Sequence, residues 1–214
     1  MKNAWAWVAA AAVLFLATGR GVIGALGDGR AKPRSILIIG DSHSQGGWTL
    51  GGRLSSAFEG AGISTLQSGV PGSSVWWWLQ DSRLSDLMAS EETQELGPEL
   101  VIVELGGGDA ARRVTQGKYN SQLRRFVEIL RAAGIEEIIW LSPTKDETAG
   151  GSDQRRQDVA DWQALKLPEL GVQVIGQRQH TDSIPTSDGI HYRPEGYTAW
   201  ADSLLASDLQ WLVA

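Results

Sequence analysis

The 214-residue chain contains no cysteine, which excludes disulfides, thiolate metal centres, iron–sulfur clusters and a cysteine nucleophile. Histidine is nearly as scarce: His43, His180 and His191 are the only three, too few for a multi-histidine metal centre. Positive charge is in deficit, with 19 Lys and Arg against 25 Asp and Glu and a net charge of −6. That balance argues against nucleic acid, which needs a basic surface to neutralise phosphates. No Gly-x-Gly-x-x-Gly follows the first apolar run and no P-loop occurs, so nucleotide binding has no motif behind it. Repeats and low-complexity segments are absent too. What is present is 42% hydrophobic and 21% charged residues, the content of one ordinary globular domain at this length. Ten Trp stand against three Phe and three Tyr.

The first 34 residues differ in kind from the rest. Lys2 precedes an uncharged apolar run from Ala4 to Ala17, which fits the h-region of a signal peptide and is shorter than the ~20 residues of a spanning helix. Apolar character resumes after Arg20 as far as Leu26, and Trp5 and Trp7 suit an interfacial belt, so a retained, tilted anchor is the second reading. Ala25-Leu26-Gly27 is a small-x-small cleavage candidate, and residues 28–34 read as a linker. Both readings export the domain, to the periplasm, the exterior or a membrane face. Five of the basic residues and one acid precede Ser35, leaving 14 basic and 24 acidic residues and a net charge of −10 for residues 35–214.

From Ser35 the pattern alternates. Short apolar runs at Ser35–Ile39, Ile63–Leu66, Leu100–Leu105, Ile135–Leu141 and Val172–Ile175 read as strands buried on both faces. Helical stretches are expected at about 47–60, 73–89, 119–133 and 153–166, with a last helix opening at Pro194 and running to about Leu212. Strand–helix alternation with short links predicts an α/β fold, a parallel sheet covered on both faces. Such sheets bind ligands at the carboxyl ends of their strands, so the residues following each strand matter most.

Those residues are Gly40-Asp41-Ser42-His43-Ser44 after the first strand, Ser68-Gly69-Val70-Pro71-Gly72 after the second, Gly106-Gly107-Gly108-Asp109 after the third, and Asp188-Gly189-Ile190-His191 before the last helix. A Ser on a strand-to-helix turn exposes its hydroxyl beside a helix N-terminus that favours developing negative charge. It needs a base, and the base an orienting carboxylate. Asp188 and His191, three apart around a Gly, can supply both.

The four blocks, in this order and each at a strand's end, resemble the SGNH (GDSL-type) hydrolase family across about residues 35–212. The resemblance implies a three-layer, flavodoxin-like α/β/α sandwich with a five-stranded parallel sheet. It implies a serine esterase with Ser42 as nucleophile, His191 as general base then acid, and Asp188 as orienter, with no cofactor and no metal. The oxyanion hole would use the N–H groups of Ser42 and Gly69. Its third donor in the family is an Asn side chain, and here Gly108 occupies that place. Loss of one such donor typically costs on the order of 3–4 kcal/mol. On this reading a Gly108→Asn exchange is expected to raise turnover. The expected substrates are carboxylic esters, with short acyl chains or acetylated saccharides favoured. Two alternatives stand beside this: a weak or inactive relative that binds carbohydrate or envelope material, and a lysophospholipase or thioesterase.

Other residues invite functional readings. His43 reads as supporting the turn rather than acting on substrate. His180, Asp182, Asp188 and His191 have metal-binding side chains but match no ligand spacing. Glu104 reads as a partnered structural acid. Trp76, Trp77 and Trp78 lie about 100° apart on a helix, so at least one is expected outside the core, either packed under a neighbouring long loop or exposed as a platform for substrate, membrane or partner. The polar, Gly-rich stretch from Pro143 to Asp153 is expected to be a mobile loop at the active edge.

Overall fold

Five short apolar runs set the architecture. β1 (Ser35–Gly40), β2 (Ser64–Gly69), β3 (Leu100–Glu104), β4 (Glu137–Leu141) and β5 (Gln173–Ile175) form one sheet in the order β2-β1-β3-β4-β5, every pair parallel. This is the flavodoxin-like order, whose direction of winding reverses between β1 and β3. The computed structural model describes residues 31–148 and 153–214. The expected export segment lies largely outside the described residues, as do residues 149–152 of the expected loop.

Successive residues of a strand point to opposite faces; in β1, β3 and β4 both faces are apolar and buried, whereas the edge strands β2 and β5 are only partly buried rather than buried on both faces as expected. Leu37, Ile39, Val101, Val103, Ile138 and Trp140 enter one core, while Ile36, Ile38, Leu100, Ile102, Ile139 and Leu141 enter the other. The second core is closed by Leu50, Leu54 and Phe58 of α1 (Leu50–Gly60). The first receives Val75 and Trp78 of α2 (Val75–Leu79) and Leu84 and Met88 of α3 (Arg83–Ala89). Next come α4 (Glu91–Leu96) and α5 (Gly107–Ala111). The amphipathic α6 (Gln116–Ala132) turns Tyr119, Leu123, Phe126, Val127 and Leu130 onto the same core, and α7 (Asp153–Lys166) adds Val159. After the short α8 (Arg178–Thr181), α9 (Pro194–Leu205) and α10 (Gln210–Val213) return to the second core through Tyr197, Trp200, Leu204 and Leu212. The three layers expected from the resemblance are therefore present.

The helices differ from expectation in three respects. The stretch 73–89 is broken because Asp81 and Ser82 take positive φ, 48° and 60°, and Arg83 stabilises the break by bonding Asp81 Oδ2 and the Trp77 carbonyl. The last helix stops at Leu205 and resumes at Gln210. The elements α4, α5 and α8 are short helices that no periodic pattern announced.

Candidate active site

The turn after β1 presents Ser42. Asp41 caps a single 3-10 turn (Ser42–Ser44) by accepting from the His43 N–H at 3.0 Å. Far along the chain, Ser187–His191 folds into a tight loop. Asp188 Oδ1 accepts from the N–H groups of Ile190 (2.9 Å) and His191 (2.7 Å), and Ser187 N–H donates to the His191 carbonyl at 2.6 Å. The loop aims one imidazole in two directions: His191 Nδ1 lies 2.7 Å from Asp188 Oδ2, and His191 Nε2 lies 2.9 Å from Ser42 Oγ. The bonds from His191 N–H, the His191 ring and Ile190 N–H hold the Asp188 carboxyl well below the usual carboxylate range, so it stays ionised beside the ring. The structure thus brings together the three residues expected from the sequence, across 149 positions.

The base-bearing loop rests on the segment after β4. Glu147 N–H donates to the Gly189 carbonyl at 2.7 Å, and Thr186 Oγ1 donates to Glu147 Oε2 at 2.6 Å. Gly189 has φ +92, and a Cβ there would stand 2.8 Å from Thr148. The described part of the expected mobile loop, up to Thr148, is thus bonded to the Ser187–His191 loop.

Around the nucleophile lies a buried polar set that sequence reasoning largely missed. His43 is buried, its Nδ1 2.9 Å from Tyr197 Oη, and its ring packs against Tyr192, Tyr197 and Trp200. Burial pushes its pKa down to about 4, with Arg156 and His191 adding to the effect; it is neutral at ordinary pH. Glu104, opposite Gly40 in the β1–β3 register, is buried beside Asp41, and burial together with that second carboxyl raises its pKa well above the usual range. Ser44 Oγ donates to it at 3.4 Å. Arg156 of α7 is also buried, within 3.7 Å of Asp146, and its guanidinium covers Gly107. Trp48, 53% exposed, meets the Tyr197 ring edge-on. The signal for these was present only as residue type; their partners lie too far along the chain to be paired by eye.

The backbone donors stand as follows. Gly69 pairs in register with Gly40, and its α-carbon is drawn so close to Ser44 that a Cβ would overlap the Ser44 carbonyl. Gly108 lies in the first turn of α5, and a Cβ there would overlap the Ser73 carbonyl. Its N–H has no acceptor among the described residues, and neither has that of Gly72, at φ +67 in the turn after β2. The expectation that Asn at 108 would restore a donor is therefore corrected: the position has no room for a side chain without displacing the Ser73 backbone. Asp109, beside it, is buried and accepts from Val75 N–H at 3.0 Å, and burial raises its pKa to about 7.

Two further expectations can be placed. Trp76 is 39% exposed, Trp77 half-buried and Trp78 buried, so the triplet does divide between core and surface. His180 bonds Ser203 Oγ and Asp208 rather than His191, and among the described residues no group of three or more His, Asp or Glu is placed to hold a metal.

With this geometry in view, comparison with known proteins is informative. Residues 38–199 match the GDSL-like lipase/acylhydrolase family. Protein BcsX of Komagataeibacter xylinus is 25% identical over 207 residues, covering 82% of this chain and 76% of that protein. Among solved structures, the native aryl esterase of M. smegmatis superposes with a TM-score of 0.67 at 18% identity, covering 84% of this chain and 99% of its own. A carbohydrate acetylesterase from Sinorhizobium meliloti gives 0.64 at 18% identity, over 81% and 99%. A catalytic mutant of an acetylxylan esterase from Geobacillus stearothermophilus gives 0.62 at 16% identity, over 81% and 93%. The chain belongs to the GDSL-like lipase/acylhydrolase family and is a carboxylic ester hydrolase.

Proposed function

We propose that this protein is an exported serine esterase that cleaves short-chain acyl esters, acetylated saccharides foremost, through a covalent acyl-enzyme. The observation that carries the reading is the unbroken chain Ser42 Oγ–His191–Asp188, at 2.9 and 2.7 Å. Ser42 Oγ attacks the ester carbonyl carbon while His191 Nε2 takes its proton. The tetrahedral oxyanion faces the N–H of Ser42, with the backbone N–H groups of Gly69 and Gly108 as its further donors and Gly72 as a fourth candidate. Collapse breaks the bond to the alcohol oxygen, and His191 returns the proton to that oxygen. Water then loses a proton to His191, adds to the acyl carbon and releases the acid, which regenerates Ser42. Asp188 stays ionised throughout and stabilises the imidazolium.

The acetylated-saccharide preference is supported by the names of two structural neighbours, an acetylxylan esterase and a carbohydrate acetylesterase, and by Trp48 at the rim beside Tyr197. Export is supported by the N-terminal apolar run. The test is hydrolysis of p-nitrophenyl acetate and butyrate and of acetylated xylo-oligosaccharides by the wild-type and Ser42→Ala proteins. Turnover should fall by at least ~10³-fold in the variant. Equal background rates in two folded proteins would overturn the enzyme mechanism and leave the alternative of a binding domain, which the side-chain-free position 108 favours.

A further inference from the structure

The chain is acidic, yet one cleft on it is not. α5, α6 and α7 enclose two adjoining hollows, of about 360 and 390 Å³, that share Arg113 and Val114. Each falls within the size range of small-molecule sites. Arg112, Arg113 and Lys118 line the first and Arg155 the second. Among the described residues none of these four cations is in an ion pair, although acids outnumber bases over the whole sequence by 25 to 19. Arg112 Nη1 donates to the carbonyls of Gly72 and Gly108, and Arg155 Nε to that of Ala110. Two of the four charges are therefore anchored through backbone contacts, and among the described residues none is closed into an ion pair.

The two acids that line the hollows are fewer than the cations and are engaged elsewhere, although Arg112 acts on Asp109 electrostatically. Asp109 is buried, accepts from the backbone of Val75 and is engaged beneath the surface. Asp158 Oδ1 accepts from Gln154 Nε2 on its own helix. An indole closes each end: Trp76, 39% exposed, in the first hollow and Trp162 in the second. Cations and indoles lining the same hollows suit a ring that carries carboxylates on one edge and C–H groups on its face. A membrane surface is the poorer match, because the cleft is concave and its cations line the hollows.

We propose that this cleft is a subsite for an anionic saccharide, one bearing uronate carboxylates, so that the ester cleaved at Ser42 is carried on an acidic rather than a neutral glycan. This rests on the esterase reading, and Arg112 links the two places by bonding the turns that follow β2 and β3.

The experiment is calorimetric titration of the full chain with trigalacturonate, xylotriose and inorganic phosphate, at low and high salt. Trigalacturonate should bind about 10-fold or more tightly than xylotriose, with the advantage shrinking as salt rises. The double variant Arg113→Asn/Lys118→Glu should lose that preference while melting like the wild type; Asn accepts the positive φ of 53° at position 113. Lys118→Gln alone should lose part of it, which keeps the test readable where the double variant does not fold. Equal affinity for the two sugars, an unchanged preference in folded variants, or phosphate binding as well as trigalacturonate would each overturn the proposal. None of these ligands is an ester, and Ser42→Ala should bind them like the wild type. A failed subsite is therefore distinguishable from a failed esterase.

Discussion

At the scale of single residues, burial decides protonation around the nucleophile. His43 and Asp109 are pushed in opposite senses: the imidazole down to about 4 and the carboxyl up to about 7. The sign of the Asp109 effect is definite. Between its ordinary value of 3.8 and about 7, the native state keeps a proton that the unfolded chain has released. Stability therefore falls as pH rises through that window, by about 1.4 kcal/mol per unit. Asp109→Asn removes the titration and leaves an amide in place. Its stability relative to wild type should improve by about 2–3 kcal/mol between pH 5 and pH 8, measured by urea unfolding at both. A constant difference across that range would show that Asp109 does not carry the shift. His43 slopes the other way, losing stability as pH falls from 6.5 towards 4, but it does so in both proteins and cancels from the comparison.

At the scale of elements, the catalytic loop is held by its own backbone and by one neighbour. Gly189→Ala puts a methyl 2.8 Å from Thr148 at a φ of +92, a conformation that disfavours any side chain. Relief requires the Asp188–His191 loop to move off residues 147–148. kcat on p-nitrophenyl acetate should drop by about 10-fold or more with little change in melting temperature, since small misplacements of catalytic groups are costly. Wild-type kcat in this variant would mean that the contact does not position the base. The same scale separates what the sequence disclosed from what it hid. β1, β3 and β4 were legible because they are buried on both faces and read as apolar runs, whereas the partly exposed β2 and β5 were marked only by the short apolar runs at their starts. The grouping of Ser42, Asp188 and His191 was legible because they sit in loops where nothing structural calls for them together. The break at Asp81–Ser82 was not legible, because no Gly or Pro marks it and Arg83 bonds back across it. Nor were the His43–Tyr197 bond and the Glu104–Asp41 neighbourhood, since a buried polar residue betrays its partner only in three dimensions. The crowding at Gly108 was equally hidden: a missing side chain reads as a lost donor, whereas here the space belongs to Ser73.

At the scale of the whole molecule, two apolar cores clamp the sheet, and everything reactive lies along one of its edges. Residues 33–214 form a unit with its own internal packing. Expression of the full chain in a bacterial host is expected to deliver the domain outside the cytoplasm. Fractionation with N-terminal sequencing would check this: a new N-terminus near Gly27 marks cleavage, an intact one in the membrane fraction marks an anchor, and intact protein in the cytoplasm refutes export. The distribution of charge also operates at this scale. A net value of −6 conceals a cationic cleft, since a sum over the sequence carries no information about where its members meet.

Ser42, the proposed nucleophile, lies in the turn just after the first strand, whereas His191, Asp188 and the tyrosine that bonds His43 all arrive with the last stretch of chain. A ribosome-bound or C-terminally clipped chain therefore carries a serine with nothing to take its proton. On the proposed mechanism, a chain cut before Asp188 should lose turnover about as completely as Ser42→Ala does.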